Sequence, residues 1–239
     1  VTGVKDEKGR GYVIDTFKLW MTHERRAEKD RVEFVPETDK NPHHIKDNVY
    51  NLWSGRGLSD ADIESAEPLP LNHAWFRHLK TRVCGGDERL FLNDMCWFSQ
   101  TLFKPWKKLY HSIVLIGQPG AGKGLVVQPI MDIMGERHAW QPSSAQEILG
   151  DFNKEVMGKK IIFIDEMVWG GDKQRAGDLK KLITENKASI NEKYMSTLTV
   201  RNLANLIFSS NENHVVPAGS KARRYAVHAC SGELAGITH

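Results

Sequence analysis

The chain has 239 residues, of which 40% are hydrophobic and 26% charged, an ordinary composition for a protein that buries a core. A mean hydropathy of −0.46, with no apolar run approaching ~18 residues, excludes a transmembrane helix. The 33 basic and 30 acidic residues leave a net charge of +3, which alone is too small to predict a nucleic-acid partner.

The first part of the chain is predicted to be a smaller, mainly helical region over residues 1–109. Apolar spacing predicts helices over 12–34, 73–83 and 90–103, and short strands over 31–36 and 49–53. We place its boundary with the rest of the chain near Tyr110.

From residue 110 to 239 the pattern changes to short apolar strands that alternate with helices, which is typical of a parallel sheet. The predicted strands cover 111–117, 160–165 and 204–209, and the predicted helices cover 123–134, 144–157 and 173–185. A β-hairpin is predicted over 188–201. We therefore expect an α/β core with a parallel sheet flanked by helices.

A phosphate-binding loop is predicted directly after the first of these strands. It consists of Gly117, Gln118, Pro119, Gly120, Ala121, Gly122, Lys123 and Gly124. Its glycines let backbone N–H groups turn towards a phosphate, and Lys123 would reach the β- and γ-phosphates. Gly124 departs from the pattern, because Ser or Thr usually supplies a hydroxyl for Mg²⁺ there.

Two acids end the next apolar strand, and polar residues end the third. Asp165 is expected to hold Mg²⁺ through water, and Glu166 to deprotonate an attacking water. Asn211 could bond the γ-phosphate as a sensor, and Asn213 is the other candidate for this role. Solvated acids that cap a strand, and a plain turn asparagine, are the alternatives.

Basic residues are concentrated near the C-terminal end. Between Lys173 and Arg224 there are ten Lys/Arg and four Asp/Glu, a local excess of six. Lys193 and Tyr194 lie near the hairpin tip, where a cation and an aromatic ring suit single-stranded DNA, although a plain exposed hairpin is also possible. An arginine at 223 or 224 could act as a finger in a neighbour's site, or simply be solvated.

Three cysteines form no CxxC pair: Cys84, Cys96 and Cys230. An odd number of unpaired cysteines disfavours a disulfide framework and a four-cysteine zinc site, and the scattered histidines show no ligand spacing. We expect a reducing, cytoplasmic compartment (the host cytoplasm if phage-encoded) and no membrane. The first residues lack Met and a signal stretch, so we expect a piece of a longer chain.

Taken in order, these motifs resemble the superfamily 3 helicase core of phage, plasmid and poxvirus-type primase-helicases. The resemblance is carried by GQPGAGKG, IIFIDE, WGGDK, INEKY, LIFSSNE and ARRYAV, at 117–124, 161–166, 169–173, 190–194, 206–212 and 222–227. It implies an AAA+-like ATPase that forms a ring, usually a hexamer, and translocates on single-stranded DNA with ATP and Mg²⁺. It also implies that Lys193 contacts DNA and that Arg224, with Arg223 second, is the finger.

Two other functions remain open from the sequence. The phosphate loop is similar to that of adenylate kinase, although no Asp-Gly-Tyr-Pro-Arg segment or Arg-rich lid follows it. The lack of a hydroxyl at Gly124 is also consistent with a nucleotide-binding assembly module with little or no hydrolysis.

Overall fold

The computed structural model describes residues 2–5, 11–14, 16–36, 47–150, 153–167, 173–191, 197–212 and 223–232. Two compact units are present, one within Val1–Val32 and Ile45–Tyr50 and the other within Glu33–His44 and Asn51–His239. Most of the predicted N-terminal region thus belongs to the same unit as the phosphate loop. The domain boundary near Tyr110 stays a prediction.

The predicted helix over 12–34 is wrong in its extent. Strand β1 (Thr2–Lys5) pairs antiparallel with β2 (Gly11–Ile14), and helix α1 covers only Thr16–Thr22. The β-branched Val13 and Ile14 favour the strand, where they oppose β1 in register. Further along, β3 (Arg31–Glu33) pairs with β4 (Val49–Asn51) in a second short sheet.

Three helices precede the central sheet: α2 (Asp60–Ser65), α3 (Ala74–His78), which continues into a π-helical turn over Leu79–Val83, and α4 (Glu88–Phe103). Helix α4 begins where the Asp87 side chain accepts from Arg89 N at 2.7 Å and Leu90 N at 3.2 Å. This cap satisfies backbone donors that have no partner within the helix.

The central sheet has five parallel strands in the order β11-β5-β10-β7-β6. They are β5 (Ser112–Ile116), β6 (Ala139–Trp140), β7 (Ile161–Ile164), β10 (Asn205–Ser210) and β11 (Tyr225–Ala229). The flanking helices are α5 (Lys123–Met134), α6 (Gln146–Leu149) and α7 (Lys173–Thr184). Strands β8 (Lys187–Ile190) and β9 (Leu198–Arg201) form the predicted hairpin.

This architecture confirms the expected α/β fold with a parallel sheet flanked by helices. The single helix predicted over 144–157 is wrong, because α6 ends at Leu149 and only a 3₁₀ turn forms over Lys154–Val156. Gly150 has an extended backbone at the end of the helix, and the two residues that follow it lie outside the described ones. Among the described residues, no helix is long and apolar enough to cross a membrane.

Both faces of the sheet are covered, so its central strands are apolar throughout. Side chains alternate along each strand: Ile113 and Leu115 pack into the core on the side of α4 and α5, whereas Val114 packs with α7. A parallel strand buried on two faces shows a continuous apolar run, which is why these strands were predictable from the sequence.

Two buried lysines lie before the amino-terminal ends of the strands. Lys108 Nζ donates to Leu182 O and Ala204 O at 2.9 and 3.0 Å, and Lys160 Nζ donates to Leu203 O at 3.0 Å. Burial lowers the pKa of each amine to about 7, and the charge of Lys108 adds to the effect on Lys160. The free energy of unfolding should therefore change with pH as these two amines titrate.

The free energy of unfolding is expected to rise from about pH 7 to pH 10. The folded pKa of each amine is depressed, so the unfolded chain, with lysine pKa values of about 10.4, binds more protons over this window. Lys160→Met should lower the slope by up to about 1.4 kcal/mol per pH unit in urea denaturation. Lys187→Met, at an exposed position, should keep the parental slope, and an unchanged slope in Lys160→Met would contradict the assignment.

Candidate functional site

The phosphate loop connects β5 to α5 and lies at the carboxyl end of the sheet. Gly117 N donates to Ser210 O at 3.0 Å, which ties the start of the loop to β10. Gly120 and Gly122 both have φ of 79°, a backbone region that side chains rarely adopt. Gly122 also leaves no room, because an added Cβ would lie 2.5 Å from the His78 ring.

Lys123 is the first residue of α5 and is 9% exposed. Its ammonium donates to the carbonyl oxygens of Gly117 and Gln118 at 2.6 and 3.0 Å, and to Asn211 Oδ1 at 2.9 Å. These three bonds use the full donor capacity of an ammonium group. The lysine therefore joins the loop to the tip of β10.

The two acids follow β7, the neighbour of β10 on the other side. The register pairs Phe208 with Ile164, which places Ser209 beside Asp165. Ser209 Oγ donates to Asp165 Oδ1, and this carboxylate oxygen also accepts from Glu166 N at 3.1 Å. Glu166 has φ of 51°, an unusual conformation that costs about 1 kcal/mol and turns the chain back at the strand end.

One cleft of about 500 Å³ brings most of the predicted site together. It is lined by Pro119, Gly120, Ala121, Gly122, Lys123, Gly124, Leu125, Gln128, Gln141, Phe163, Asp165, Glu166 and Asn211. A cation, two carboxylates and an amide thus converge on one concave surface beside a helix N-terminus. Their chemical roles stay predictions.

The residues present fit a nucleotide's phosphates and a divalent metal ion. The first N–H groups of α5 have no intrahelical partner and favour an anion, and the carboxylates of Asp165 and Glu166 are the oxygen donors that Mg²⁺ prefers. Gly124 supplies no hydroxyl, but a Cβ added there would meet no atom within 4 Å. The site is therefore one oxygen ligand short of the usual set.

The structure does not bring Arg223 and Arg224 to this cleft. Both are exposed and precede β11, and Arg224 O accepts from Ser112 N at 2.8 Å, at the start of β5. The phosphate loop follows the other end of β5, about 16 Å away at the rise of a β-strand. These arginines cannot serve the cleft of their own chain.

Three predicted residues cannot be placed, because Lys193, Tyr194 and Asn213 lie outside the described residues. The hairpin that carries the first two is present, with Lys187 opposite Arg201 at its base. Their proposed contacts with DNA stay predictions.

Sequence reasoning missed several residues that shape the cleft. His78 Nε2 lies 3.0 Å from Gly122 O, Ser209 bonds Asp165, and Gln141 lines the wall. Ser209 adjoins the predicted sensor and could have been found from the strand register. His78 lies 44 residues before Gly122, and no local pattern indicates their contact.

Comparisons with known proteins agree with this architecture. The "DNA Primase-polymerase" of Nitratiruptor phage NrS-1 is 30% identical over 124 residues, which is 51% of this chain and 17% of that protein. The apo structure of the NrS-1 C-terminal region matches with a TM-score of 0.70 and 19% identity, covering 99% of this chain and 58% of that chain. A second apo form of that region matches with a TM-score of 0.69 and 21% identity.

The chain resembles phage primase-helicase-type proteins. A protein-family profile described as "Family of unknown function (DUF5906)" also matches residues 115–224, which include the phosphate loop and both acids. The resemblance predicted from the motifs is confirmed, and the structural likeness, at these identities, establishes the fold. The chain spans 17% of its curated relative and 58% of the matched structures.

Gly122→Ala is expected to destabilise the protein by about 2 kcal/mol or more, through a positive φ and a clash with His78. Gly124→Ala is the matched control in the same loop, and should be neutral or stabilising by up to about 1 kcal/mol. Urea denaturation measures both.

The losses of stability from His78→Ala and Gly122→Ala should add up to more than the loss in the double variant, because the double variant has no clash and keeps only the backbone strain and the lost contact of His78 with Gly122 O. Equal stability of Gly122→Ala and Gly124→Ala would contradict the observed loop geometry.

Proposed function

We propose that the chain is an ATP-dependent DNA motor of the superfamily 3 helicase type, which couples ATP hydrolysis to movement on single-stranded DNA. The convergence of Lys123, Asp165, Glu166 and Asn211 in one cleft beside a phosphate loop carries this proposal. A phage relative named a DNA primase-polymerase supports a role in replication, as a piece of a primase-helicase.

In this proposal Lys123 exchanges its loop carbonyl partners for the β- and γ-phosphates of ATP. Asp165 would hold Mg²⁺, and Glu166 would accept a proton from the attacking water. Asn211, which accepts a hydrogen bond from the lysine, would bond the γ-phosphate as the sensor. The bound Mg²⁺ would neutralise charge on the phosphates.

The family resemblance implies a ring, usually a hexamer, and the position of the arginines is compatible with it. Arg224 lies at the far end of the sheet from the cleft of its own chain, so only a neighbouring chain could receive it. An arginine supplied in this way stabilises the charge that develops during phosphoryl transfer. Arg223 is the second choice for this finger.

Single-stranded DNA would bind through Lys193 and Tyr194 at the hairpin tip. A second cleft of about 450 Å³ near the hairpin base offers the same combination of rings and cations: Trp106, Lys107, Tyr110 and Arg201 line part of it. Stacking on aromatic rings with cations near the backbone suits binding without sequence preference.

A nucleotide-binding assembly module with little hydrolysis is the second candidate function. The missing hydroxyl at Gly124 favours it, because metal ligation is then weaker than in the usual loop. An adenylate-kinase-like transfer to AMP is a weaker alternative that rests on the loop sequence alone.

We expect the chain to hydrolyse ATP with Mg²⁺, and to do so several-fold faster with single-stranded DNA, because the finger joins the site only in a formed ring. Lys123→Met should abolish turnover.

Arg224→Ala should lower turnover while nucleotide affinity stays parental, and Lys193→Ala should weaken DNA binding alone. A coupled ATPase assay, with native mass recorded on the same samples, measures these effects.

ATP binding without turnover, with and without DNA, would favour the assembly module. Gly124→Ser, with Gly124→Ala as its control, then tests whether the missing hydroxyl is the cause, since the position has room for it. Phosphoryl transfer to AMP without DNA would contradict the motor proposal.

A further inference from the structure

A buried cluster of metal-ligand side chains lies apart from the nucleotide cleft. Cys84, Asp94 and His228 each offer one donor atom, and these three atoms all lie within 4.8 Å of one another. The three residues come from the end of the π-helical turn, from α4 and from β11. We propose that they form a site for a divalent transition metal of the Zn²⁺ class.

Two distances within the cluster are close to those expected between tetrahedral ligands. His228 Nε2 lies 3.2 Å from Asp94 Oδ1, and Cys84 Sγ lies 3.5 Å from the other carboxylate oxygen, Asp94 Oδ2. Ligand atoms bound at about 2.0–2.3 Å from one tetrahedral Zn²⁺ are separated by about 3.3–3.8 Å. One donor atom from each residue lies within 4.8 Å of the others, so modest side-chain shifts would bring all three to these separations.

The His228 ring gives a further indication. Its side chain is fully buried and neither ring nitrogen makes a hydrogen bond to any described residue, although Nε2 lies at ion-pair distance from Asp94, 3.2 Å from Oδ1. A buried polar group without a hydrogen bond costs about 1–3 kcal/mol, so such groups in proteins generally have a partner. A metal ion would provide one.

The chemistry of the donors selects the class of metal. Thiolate and imidazole ligands favour Zn²⁺ and related transition metals over Mg²⁺ and Ca²⁺, which prefer oxygen. Cys84 would lose its proton to solvent on binding.

The site would have a structural role, since it joins α4 to the edge strand β11. Strand β11 runs beside the phosphate loop: Cys230 N donates to Ile116 O at 2.6 Å, and a Cβ added at Gly117 would lie 3.0 Å from Cys230 Cβ. A metal ion would therefore brace the strand against which the loop begins. This inference is independent of ATP hydrolysis.

The test uses the whole chain without a histidine tag. After dialysis against metal-free buffer, elemental analysis should find about one Zn²⁺ per chain, and Co²⁺ added to the stripped protein should give a thiolate charge-transfer band. Cys84→Ser and His228→Gln should each weaken Co²⁺ binding about tenfold or more. Cys96→Ser changes an exposed cysteine on α4, the helix that carries Asp94, and this variant should bind Co²⁺ as the parent does.

If a variant fails to fold, measurements on the parent protein still test the proposal. Removal of metal should lower its thermal midpoint, and Zn²⁺ should restore it. A parent with no bound zinc and no thiolate band with Co²⁺, or a band that survives Cys84→Ser, would overturn the proposal and leave a hydrogen-bonded cluster of side chains.

Discussion

The parallel alignment of β5, β10 and β7 is the constraint on which the candidate site depends. Their carboxyl ends lie at one edge of the sheet, so the segments that follow them meet there. Strand β10 lies in the middle and contacts both sides: Asn211 accepts from Lys123 on the β5 side, and Ser209 donates to Asp165 on the β7 side. Lys123 and Asp165 are therefore linked through the tip of one strand.

The part of the fold that the sequence predicts best is the part with the strongest local signals. The strands near 112–116, 161–164 and 205–210 are continuous apolar runs, and the loop at 117–124 combines glycines with a lysine between a strand and a helix. Lys123, Asp165 and Asn211 could be placed together because parallel strands end at the same edge.

The remaining features depend on contacts between distant residues. The segment over 12–14 was predicted as helix because its pairing with β1 is not visible in its own apolar pattern. The contact of His78 with Gly122, and the meeting of Cys84, Asp94 and His228, are set by how helices pack on the sheet. Scattered cysteines and histidines gave no ligand spacing for that reason.

The phosphate loop is held from two sides by elements outside the sheet's centre. His78 fixes Gly122 from the helical part, and Cys230 packs against Gly117 from the edge strand. The start of the same edge strand carries Arg224 at the opposite end of the sheet.

In the proposed function, the cleft binds a nucleotide through Lys123 and the acids. A structure of the chain with a slowly hydrolysed ATP analogue and Mg²⁺ tests this binding directly. We expect the β-phosphate within the loop at 117–124, the Lys123 ammonium moved from the carbonyls of Gly117 and Gln118 to phosphate oxygens, and the metal beside Asp165. A nucleotide bound elsewhere, with Lys123 still on those carbonyls, would contradict it.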